Sequence, residues 1–269
     1  MTTRDKAIDR VLIAAQKRFG LGTARAPSWI RDRVGTFLDV YIVRAACDWD
    51  LVAGRLTEDV PAMNDLMTSL RVGETRFLRD PQQWDAVVEH LCNNVRPTMP
   101  IFALSAGCST GEEAYTLAML LSEKGRRYHV LGVDRSAEAI ETARAGRYST
   151  DQVRELPRAF VRRYFSMEAG GVSVTHPLRT NVSFEVRDLM QWIPRGPFHL
   201  VLFKNVLLYF AERSGTRVAV RLANSLDRGG ILVSAASEAV RLSSVLEPIR
   251  LAPGVVAFHN RPPNEPSNS

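Results

Sequence analysis

The sequence predicts an α/β protein in which a helical N-terminal domain precedes a mainly parallel sheet with helices on both faces. From Met99 onward, short apolar runs alternate with segments of helical periodicity, which is the pattern of a parallel sheet with crossover helices. Before residue 73, apolar residues recur at helical spacing and no segment alternates as a half-buried strand does. We therefore expect residues 1–72 to form a helical domain and residues 99–260 to form the α/β domain.

The helical domain is predicted from apolar residues that lie three and four positions apart. The clearest patterns are Ile8, Val11, Leu12 and Ala15, then Ile30, Val34, Phe37, Leu38 and Tyr41. A shorter helix leads to Leu70. Residues 73–98 follow as a hinge segment and a linker helix, whose apolar face is marked by Trp84, Val87, Val88 and Leu91.

The same periodicities assign the elements of the α/β domain. Strands are expected at residues 101–104, 129–133, 198–203 and 230–234, and helices at 112–123, 137–145 and about 211–226. Residues 255–259 are expected to form a last antiparallel strand against residues 248–251. The polar, proline-containing stretch 261–269 is expected to be a disordered tail.

Residues 147–187 interrupt this alternation. The pair Gly170-Gly171 stands between short β-rich runs, which is typical of a hairpin, and a further β-rich run covers residues 182–186. We expect a small β-subdomain, inserted into the α/β domain over residues 147–187.

Composition and charge limit the class of protein. The 269 residues carry a formal net charge of +6, which suits an acidic partner or reflects an arginine-rich proteome with a solvated basic surface. No apolar run approaches the ~20 residues of a membrane span, and the first residues lack the apolar core of a signal peptide. The three widely spaced cysteines predict neither a disulfide framework nor a metal site. We expect a cytoplasmic protein without membrane insertion.

The segment between the first strand and the following helix carries the most informative chemistry. Gly107 and Gly111 lie in a loop of small residues, and Glu112 and Glu113 open the helix. At this join in an open α/β sheet, a ligand approaches the backbone and the helix N-terminus. Two carboxylates there repel phosphate and attract a cation, so we expect a positively charged nucleoside such as S-adenosylmethionine. In the alternative interpretation, the glutamates are ordinary acids of a helix start.

Asp134 ends the second expected strand, where an acidic side chain takes the hydroxyls of a ribose. The alternative is an ordinary helix N-cap, because Asp134 and Ser136 both precede a helix. The residue by itself leaves both interpretations open, and the glycine loop favours the first.

Four motifs, in order, resemble the chemotaxis receptor methyltransferase family, CheR. They are GETRFLRD at residues 73–80, SAGCSTGEEAY at 105–115, GVDRSAEAIETARAGRY at 132–148 and FKNVLLYF at 203–210. The resemblance covers most of the chain, to about residue 260. It implies a helical N-terminal domain joined to a Rossmann-like, S-adenosylmethionine-binding α/β domain with a small β-subdomain. It also implies methylation of glutamate side chains on the cytoplasmic helical region of a chemoreceptor.

The resemblance further implies site residues. Those expected to bind the cofactor are Thr75, Arg79, Glu113, Asp134, Asp188, Leu189, Phe203 and Lys204. Arg79 and Tyr209 are expected to be catalytic, Arg79 by a bidentate contact with the acceptor carboxylate and Tyr209 by hydrogen bonding to that carboxylate or by orienting Arg79. Without the motifs, an ion pair of Arg79 with Asp80 and core packing of Tyr209 are the simpler explanations. We expect no metal, no nucleic-acid partner and a monomer.

The sequence departs from the family pattern at several positions. Gly73 stands in place of Asn, Leu78 of Phe, Asp188 of Asn and Lys204 of Arg, and the Gly-His that precedes Ser-Glu is missing. These changes support an alternative function, a cofactor-binding regulatory protein with weak or no turnover, or with a substrate other than a receptor. A nucleic-acid methyltransferase is disfavoured, because residues 204–209 lack the Asp/Asn-Pro-Pro-aromatic segment of base-methylating enzymes.

Overall fold

A computed structural model of the chain describes residues 2–19, 28–70 and 75–259. The chain separates into two compact units. The first, here called the helical unit, comprises the chain up to residue 73 together with Leu208–Gly215, and the rest forms the second, the sheet unit. Gly73 and the expected tail 261–269 lie outside the described residues.

The helical unit contains α1 (Thr3–Phe19), α2 (Ser28–Arg44), α3 (Val52–Glu58) and α4 (Val60–Ser69). Its buried core includes the residues Ile8, Val11, Leu12, Ala15, Ile30, Val34, Leu38 and Tyr41. Asp59 lies between α3 and α4. Its Oδ1 accepts the N–H of Ala62 in α4 at 3.0 Å, and its Oδ2 accepts the hydroxyl of Tyr41 in α2 at 3.1 Å. The helical prediction is confirmed, and the described residues of this unit contain no strand.

The sheet unit alternates strands and helices along most of its length. Its strands are β1 (Ile101–Ala106), β2 (Tyr128–Asp134), β3 (Arg147–Tyr148), β4 (Phe165–Glu168), β5 (Gly171–Val174), β6 (Val182–Val186), β7 (Phe198–Leu202), β8 (Leu226–Val233), β9 (Glu247–Ala252) and β10 (Val255–His259). The remaining α-helices among the described residues are α5 (Pro81–Asn94), α6 (Glu112–Glu123), α7 (Ala137–Ala145), α8 (Arg158–Tyr164), α9 (His176–Arg179), α10 (Glu212–Ala223) and α11 (Ala239–Ser243).

Seven strands form the main sheet in the order β6-β2-β1-β7-β8-β10-β9. The first five are parallel, and β10 runs antiparallel to both of its neighbours, as the sequence predicts for residues 255–259. From β1, the chain places β2 on one side and β7 on the other. The carboxyl ends of β1 and β7 therefore flank a topological switch point, where open α/β sheets bind their ligands.

The core of the sheet unit explains why the central strands read as continuous apolar runs. Leu104, Val201 and Leu232 are fully buried, as expected for parallel strands covered on both faces. A Cβ added at Gly132 of β2 would lie 2.5 Å from the ring of Phe184, so a glycine is required where β6 packs its aromatic side chain. No helix within the described ranges has the length and apolar character needed to span a bilayer.

The insertion forms a separate three-stranded sheet in the order β3-β5-β4. The predicted hairpin is present, with Gly170 in the left-handed region at φ +91° between the antiparallel strands β4 and β5. The expectation that residues 182–186 belong to this insertion is wrong, because β6 pairs in parallel with β2 in the main sheet. A short β-rich run carries no local mark of the sheet it joins, which is set by long-range pairing.

Candidate active site

The glycine loop at the carboxyl end of β1 is held against the end of β2. The N–H groups of Gly107 and Cys108 both donate to the carbonyl of Val133, at 2.8 and 2.9 Å. Gly107 has φ +82°, and a Cβ there would lie 2.6 Å from Val206, so both conformation and space require glycine. Cys108 is buried, and burial raises the pKa of its thiol well above the usual value, so this sulfur stays protonated.

Asp134 links the glycine loop to the start of α7. Its Oδ2 accepts the N–H of Ser109 at 3.0 Å, and its Oδ1 accepts the N–H of Ser136 at 2.9 Å. The N-cap of α7 is Ser136, whose hydroxyl accepts the N–H of Ala139 at 3.2 Å. The interpretation of Asp134 as the helix cap is therefore wrong, and its carboxylate lies at the loop.

The two adjacent glutamates at the start of α6 have different environments. Glu112 is fully buried and accepts hydrogen bonds from the hydroxyls of Thr75 and Thr110. Glu113 has a side chain 20% exposed and lies 3.4 Å from the Nζ of Lys204. Consecutive helical residues point about 100° apart, so one carboxylate faces inward and the other faces the switch point.

Lys204 follows β7 and brings a positive charge to this edge of the sheet. Its side chain is only 5% exposed, and its Nζ pairs with Oε1 of Glu113. The same ammonium lies 5.2 Å from the centre of the Trp84 ring, a cation–π distance. A buried charge needs such partners, so Lys204 balances the carboxylate of Glu113.

A buried carboxylate holds the loop that follows Lys204. Glu238 accepts the N–H groups of Asn205 at 2.9 Å, Leu207 at 2.8 Å and Ala235 at 3.2 Å. Asn205 has φ +58°, so this turn is in the left-handed region and is held there by the hydrogen bonds. Glu238 thereby fixes the backbone beside the switch point.

Replacing Glu238 by glutamine is expected to destabilise the protein by about 1–3 kcal/mol, because an amide cannot accept all these N–H groups. Burial raises the pKa of Glu238 above 4.5, while the N–H donors oppose that rise. Urea unfolding of the wild type and the variant at one common pH measures the deficit.

The control for this measurement is Glu185→Gln, which alters a carboxylate 42% exposed and paired with Arg187. Exposed pairs contribute little, so its free energy of unfolding should stay close to that of the wild type. Equal free energies of unfolding for Glu238→Gln and the wild type would contradict the anchoring role of Glu238.

Asp188 and Leu189 lie in a turn after β6. The carboxylate of Asp188 accepts the N–H of Met190 at 2.8 Å, and Leu189 is buried. Arg221 of α10 holds the turn, because its Nη1 lies 3.1–3.3 Å from the carbonyl oxygens of three of its residues. Those carbonyls belong to Leu189, Met190 and Trp192. The aspartate in place of asparagine therefore keeps an acceptor that the turn uses.

The segment 75–80 is held against α6. The N–H of Leu78 donates to the hydroxyl of Thr116 at 3.1 Å, and Phe77 packs edge-on against Tyr148 with ring centres 4.9 Å apart. Leu78 and Asp80 both have positive φ, 52° and 58°. They flank Arg79, whose side chain is exposed on this ordered segment.

The structure brings together some of the residues expected in the site. Glu113 contacts Lys204, Asp134 contacts the glycine loop, and Thr75 reaches the loop through Glu112. Phe203 is fully buried, so its side chain belongs to the core. Tyr209 lies in the helical unit and packs against its core.

Several residues hold these segments in place although their sequence positions do not predict that role. Glu112 was expected only as one of two acids at the start of α6, and Trp84 only as part of an apolar helix face. Gln152, whose side-chain amide donates to Glu112, was not expected in the site, and neither were Arg221 and Glu238. Glu238 could have been found from the sequence, since it belongs to a segment compared with the family pattern. Arg221 and Gln152 could not, because each hydrogen-bonds to residues more than 25 positions away.

Comparison with known proteins identifies the family. Residues 73–253 match the CheR methyltransferase SAM-binding domain. The chain belongs to the CheR methyltransferase family. This is a family of S-adenosylmethionine-dependent methyltransferases, and the matched region is its cofactor-binding domain.

Several known proteins align over much of this chain. A chemotaxis protein methyltransferase of Vibrio parahaemolyticus is 30% identical over 241 residues, which are 84% of this chain and 86% of the relative. One from Listeria monocytogenes is 27% identical over 191 residues, 69% and 72% of the two chains. An uncharacterized 104.1 kDa protein of Rhodobacter capsulatus is 30% identical over 195 residues, and the aligned part spans 20% of its length.

Solved structures of methyltransferases also align. The magnesium protoporphyrin IX methyltransferase of Synechocystis is 18% identical with a TM-score of 0.39, covering 66% of this chain and 78% of that one. The N-methyltransferase NodS of Bradyrhizobium japonicum is 14% identical with a TM-score of 0.40, covering 67% and 87%.

Proposed function

We propose that this CheR family member transfers the methyl group of S-adenosylmethionine to glutamate side chains of a chemoreceptor, forming methyl esters for sensory adaptation. The observation that carries the proposal is the carboxylate of Glu113 at the switch point, within a domain that matches the family's cofactor-binding region. Relatives that align over most of their length are named chemotaxis protein methyltransferases, which supports a receptor as the partner.

The donor set at the glycine loop fits this cofactor. Glu113 supplies a carboxylate for an ammonium or sulfonium, and Asp134 supplies one for ribose hydroxyls. Gly107 lets Val206 pack directly against the loop backbone, because a Cβ there would lie 2.6 Å from that side chain. The residues proposed to hold the cofactor are Thr75, Arg79, Glu113, Asp134, Asp188, Leu189, Phe203 and Lys204. The side chain of Phe203 is buried and its N–H donates to the carbonyl of Val233, so its carbonyl oxygen is the group proposed for that role.

The chemistry asks little of the protein beyond binding and alignment. When bound, S-adenosylmethionine supplies a methyl group made electrophilic by its sulfonium. A glutamate acceptor is ionised at neutral pH and needs no strong general base. Arg79 is proposed to hold the acceptor carboxylate through its planar fork. Tyr209 is the second residue proposed as catalytic. These groups align the acceptor and help to exclude water, which is where the rate enhancement arises.

The test is transfer of tritiated methyl from S-adenosylmethionine to receptor-containing membranes of the source organism, followed by peptide mapping. We expect label on glutamate residues that base releases as methanol. Excess S-adenosylhomocysteine should block the labelling, and membranes without receptor should take up none. Labelling of another residue type, or of a protein other than a receptor, would contradict the proposal.

The alternative is a regulatory protein that binds the cofactor with weak or no turnover. It is favoured by Lys204, a compact ammonium where the family resemblance places a planar guanidinium. Calorimetry separates the two functions. Binding of S-adenosylhomocysteine without any methyl transfer supports the regulatory function, and clear turnover excludes it.

A further inference from the structure

Glu112 is a charged residue that the proposed reaction leaves without a role. It is fully buried at the start of α6. One carboxylate oxygen, Oε2, accepts the hydroxyl of Thr75 at 3.1 Å, and the other, Oε1, accepts the side-chain amide of Gln152 at 3.2 Å. The hydroxyl of Thr110 lies 2.7 and 2.8 Å from the two oxygens. The carboxylate is thus surrounded by donors from three segments.

These three segments are distant in sequence and adjacent in the sheet unit. Thr75 opens the segment that carries Arg79, Thr110 belongs to the glycine loop, and Gln152 belongs to the insertion. Thr75 and Gln152 are 37 and 40 positions from Glu112. One buried carboxylate therefore determines how the acceptor-side segment, the cofactor loop and the insertion meet.

Further hydrogen bonds support the same arrangement. The hydroxyl of Tyr148 in β3 donates to the carbonyl of Thr110 at 2.7 Å. The hydroxyl of Thr116 donates to the carbonyl of Glu112 at 2.7 Å and accepts the N–H of Leu78 at 3.1 Å. Movement of the insertion or of segment 75–80 would therefore displace the glycine loop.

Keeping a carboxylate in this place has a cost that the donors reduce. Burial raises the pKa of Glu112, and the hydrogen bonds from Thr110, Thr75 and Gln152 oppose part of that rise. A buried polar group persists in a fold when its hydrogen bonds are made. An apolar side chain would fill this space without holding three segments together.

We propose that Glu112 is a positioning residue for the cofactor site, whose carboxylate fixes segment 75–80 and the insertion against the glycine loop. The inference rests on the proposed function, since it assigns Glu112 to the site that binds S-adenosylmethionine. It predicts that a change in the insertion, at Gln152, alters cofactor affinity.

The test is calorimetric titration of the full-length chain with S-adenosylhomocysteine, together with the melting temperature of each free protein. Glu112→Gln should raise the Kd about tenfold or more, since hydrogen bonds to a charged group are lost. Gln152→Ala should raise it about threefold, because one donor of several is removed. Glu112→Gln combined with Gln152→Glu returns a carboxylate to the cluster, and the Kd should fall back to within about threefold of wild type.

Glu123 provides a matched control at the other end of the same helix. It also contacts the insertion, accepting the hydroxyl of Tyr164 at 2.6 Å and pairing with Arg163 at 3.0 Å. Eleven residues of helix place it about 16 Å from Glu112. Glu123→Gln should lower the melting temperature and leave the Kd unchanged.

The outcomes separate the inference from the proposed function. If wild type binds no S-adenosylhomocysteine, the proposed function fails. If wild type binds and Glu112→Gln binds equally well with a lowered melting temperature, Glu112 is merely structural and the inference is overturned. If Glu112→Gln does not fold, Gln152→Ala decides, and an unchanged Kd in that variant overturns the inference.

Discussion

Replacing Arg79 by methionine should reduce kcat/KM for the glutamate acceptor by about 10²–10³-fold, because a charged group that aligns the acceptor in the transition state is removed. The affinity for S-adenosylhomocysteine should fall far less, by about tenfold at most, since several other residues hold the cofactor. Arg79→Lys should recover only part of the rate, because an ammonium keeps the charge and loses the planar fork. Initial rates with a receptor fragment and calorimetry measure the two quantities.

Arg76 is the matched control for this experiment. It is an exposed arginine in the same segment and pairs with Glu155 at 3.2 Å, with both side chains about half exposed. Arg76→Met removes the same charge three residues away and should change kcat/KM less than about twofold, since exposed pairs contribute little. Equal losses in both variants would show that general surface charge matters and that Arg79 has no specific role.

The sequence determined local structure most closely where caps mark the ends of a helix. Helix α7 was predicted at residues 137–145 and is found there, because Ser136 caps its start and Gly146 ends it in the left-handed region at φ +61°. Helix α6 begins where predicted, since Gly111, the residue before the helix, has φ +94° and ends the preceding loop in the left-handed region. These signals lie within a few residues of the boundary that they set.

Long-range pairing was beyond the reach of the same reasoning. The run at 182–186 has β character, and only its hydrogen bonds to β2 show that it belongs to the main sheet. Leu208–Gly215 joins the helical unit although it follows the end of β7 in the chain. Both choices depend on packing between residues far apart in sequence, which periodicity does not encode.

The candidate site shows the same division. Family motifs pointed to Glu113 and Asp134, and the structure places both carboxylates at the glycine loop or beside it. Helix propensity does not separate the two adjacent glutamates, because both suit a helix N-terminus equally well, and only the family resemblance selects Glu113. The structure distinguishes them by their contacts. Glu113 contacts Lys204 and Ser105, whereas Glu112 contacts Thr75 and Thr110.

Replacing Asp134 by asparagine should weaken binding of S-adenosylhomocysteine by about 10²-fold, equivalent to roughly 2.7 kcal/mol. The carboxylate accepts two backbone N–H groups, from Ser109 and Ser136, and is proposed to accept ribose hydroxyls as well. Asparagine offers one oxygen and one NH₂, so the NH₂ would face a backbone N–H or a ligand hydroxyl that now lacks an acceptor. The substitution would weaken both the hydrogen bonds to the loop and the contact with the ligand. Calorimetry of wild type and variant measures the loss.

Glu138→Gln is the control for Asp134, since it removes an exposed carboxylate from the first turn of α7. It should leave the Kd within about twofold, because an exposed acid at a helix start contributes little beyond the helix itself. Affinity loss in Asp134→Asn with an unchanged kcat at saturating S-adenosylmethionine would place Asp134 in binding and outside the chemical step. If Asp134→Asn binds as tightly as wild type, the carboxylate of Asp134 serves only to anchor Ser109 and Ser136. Another residue would then have to bind the ribose.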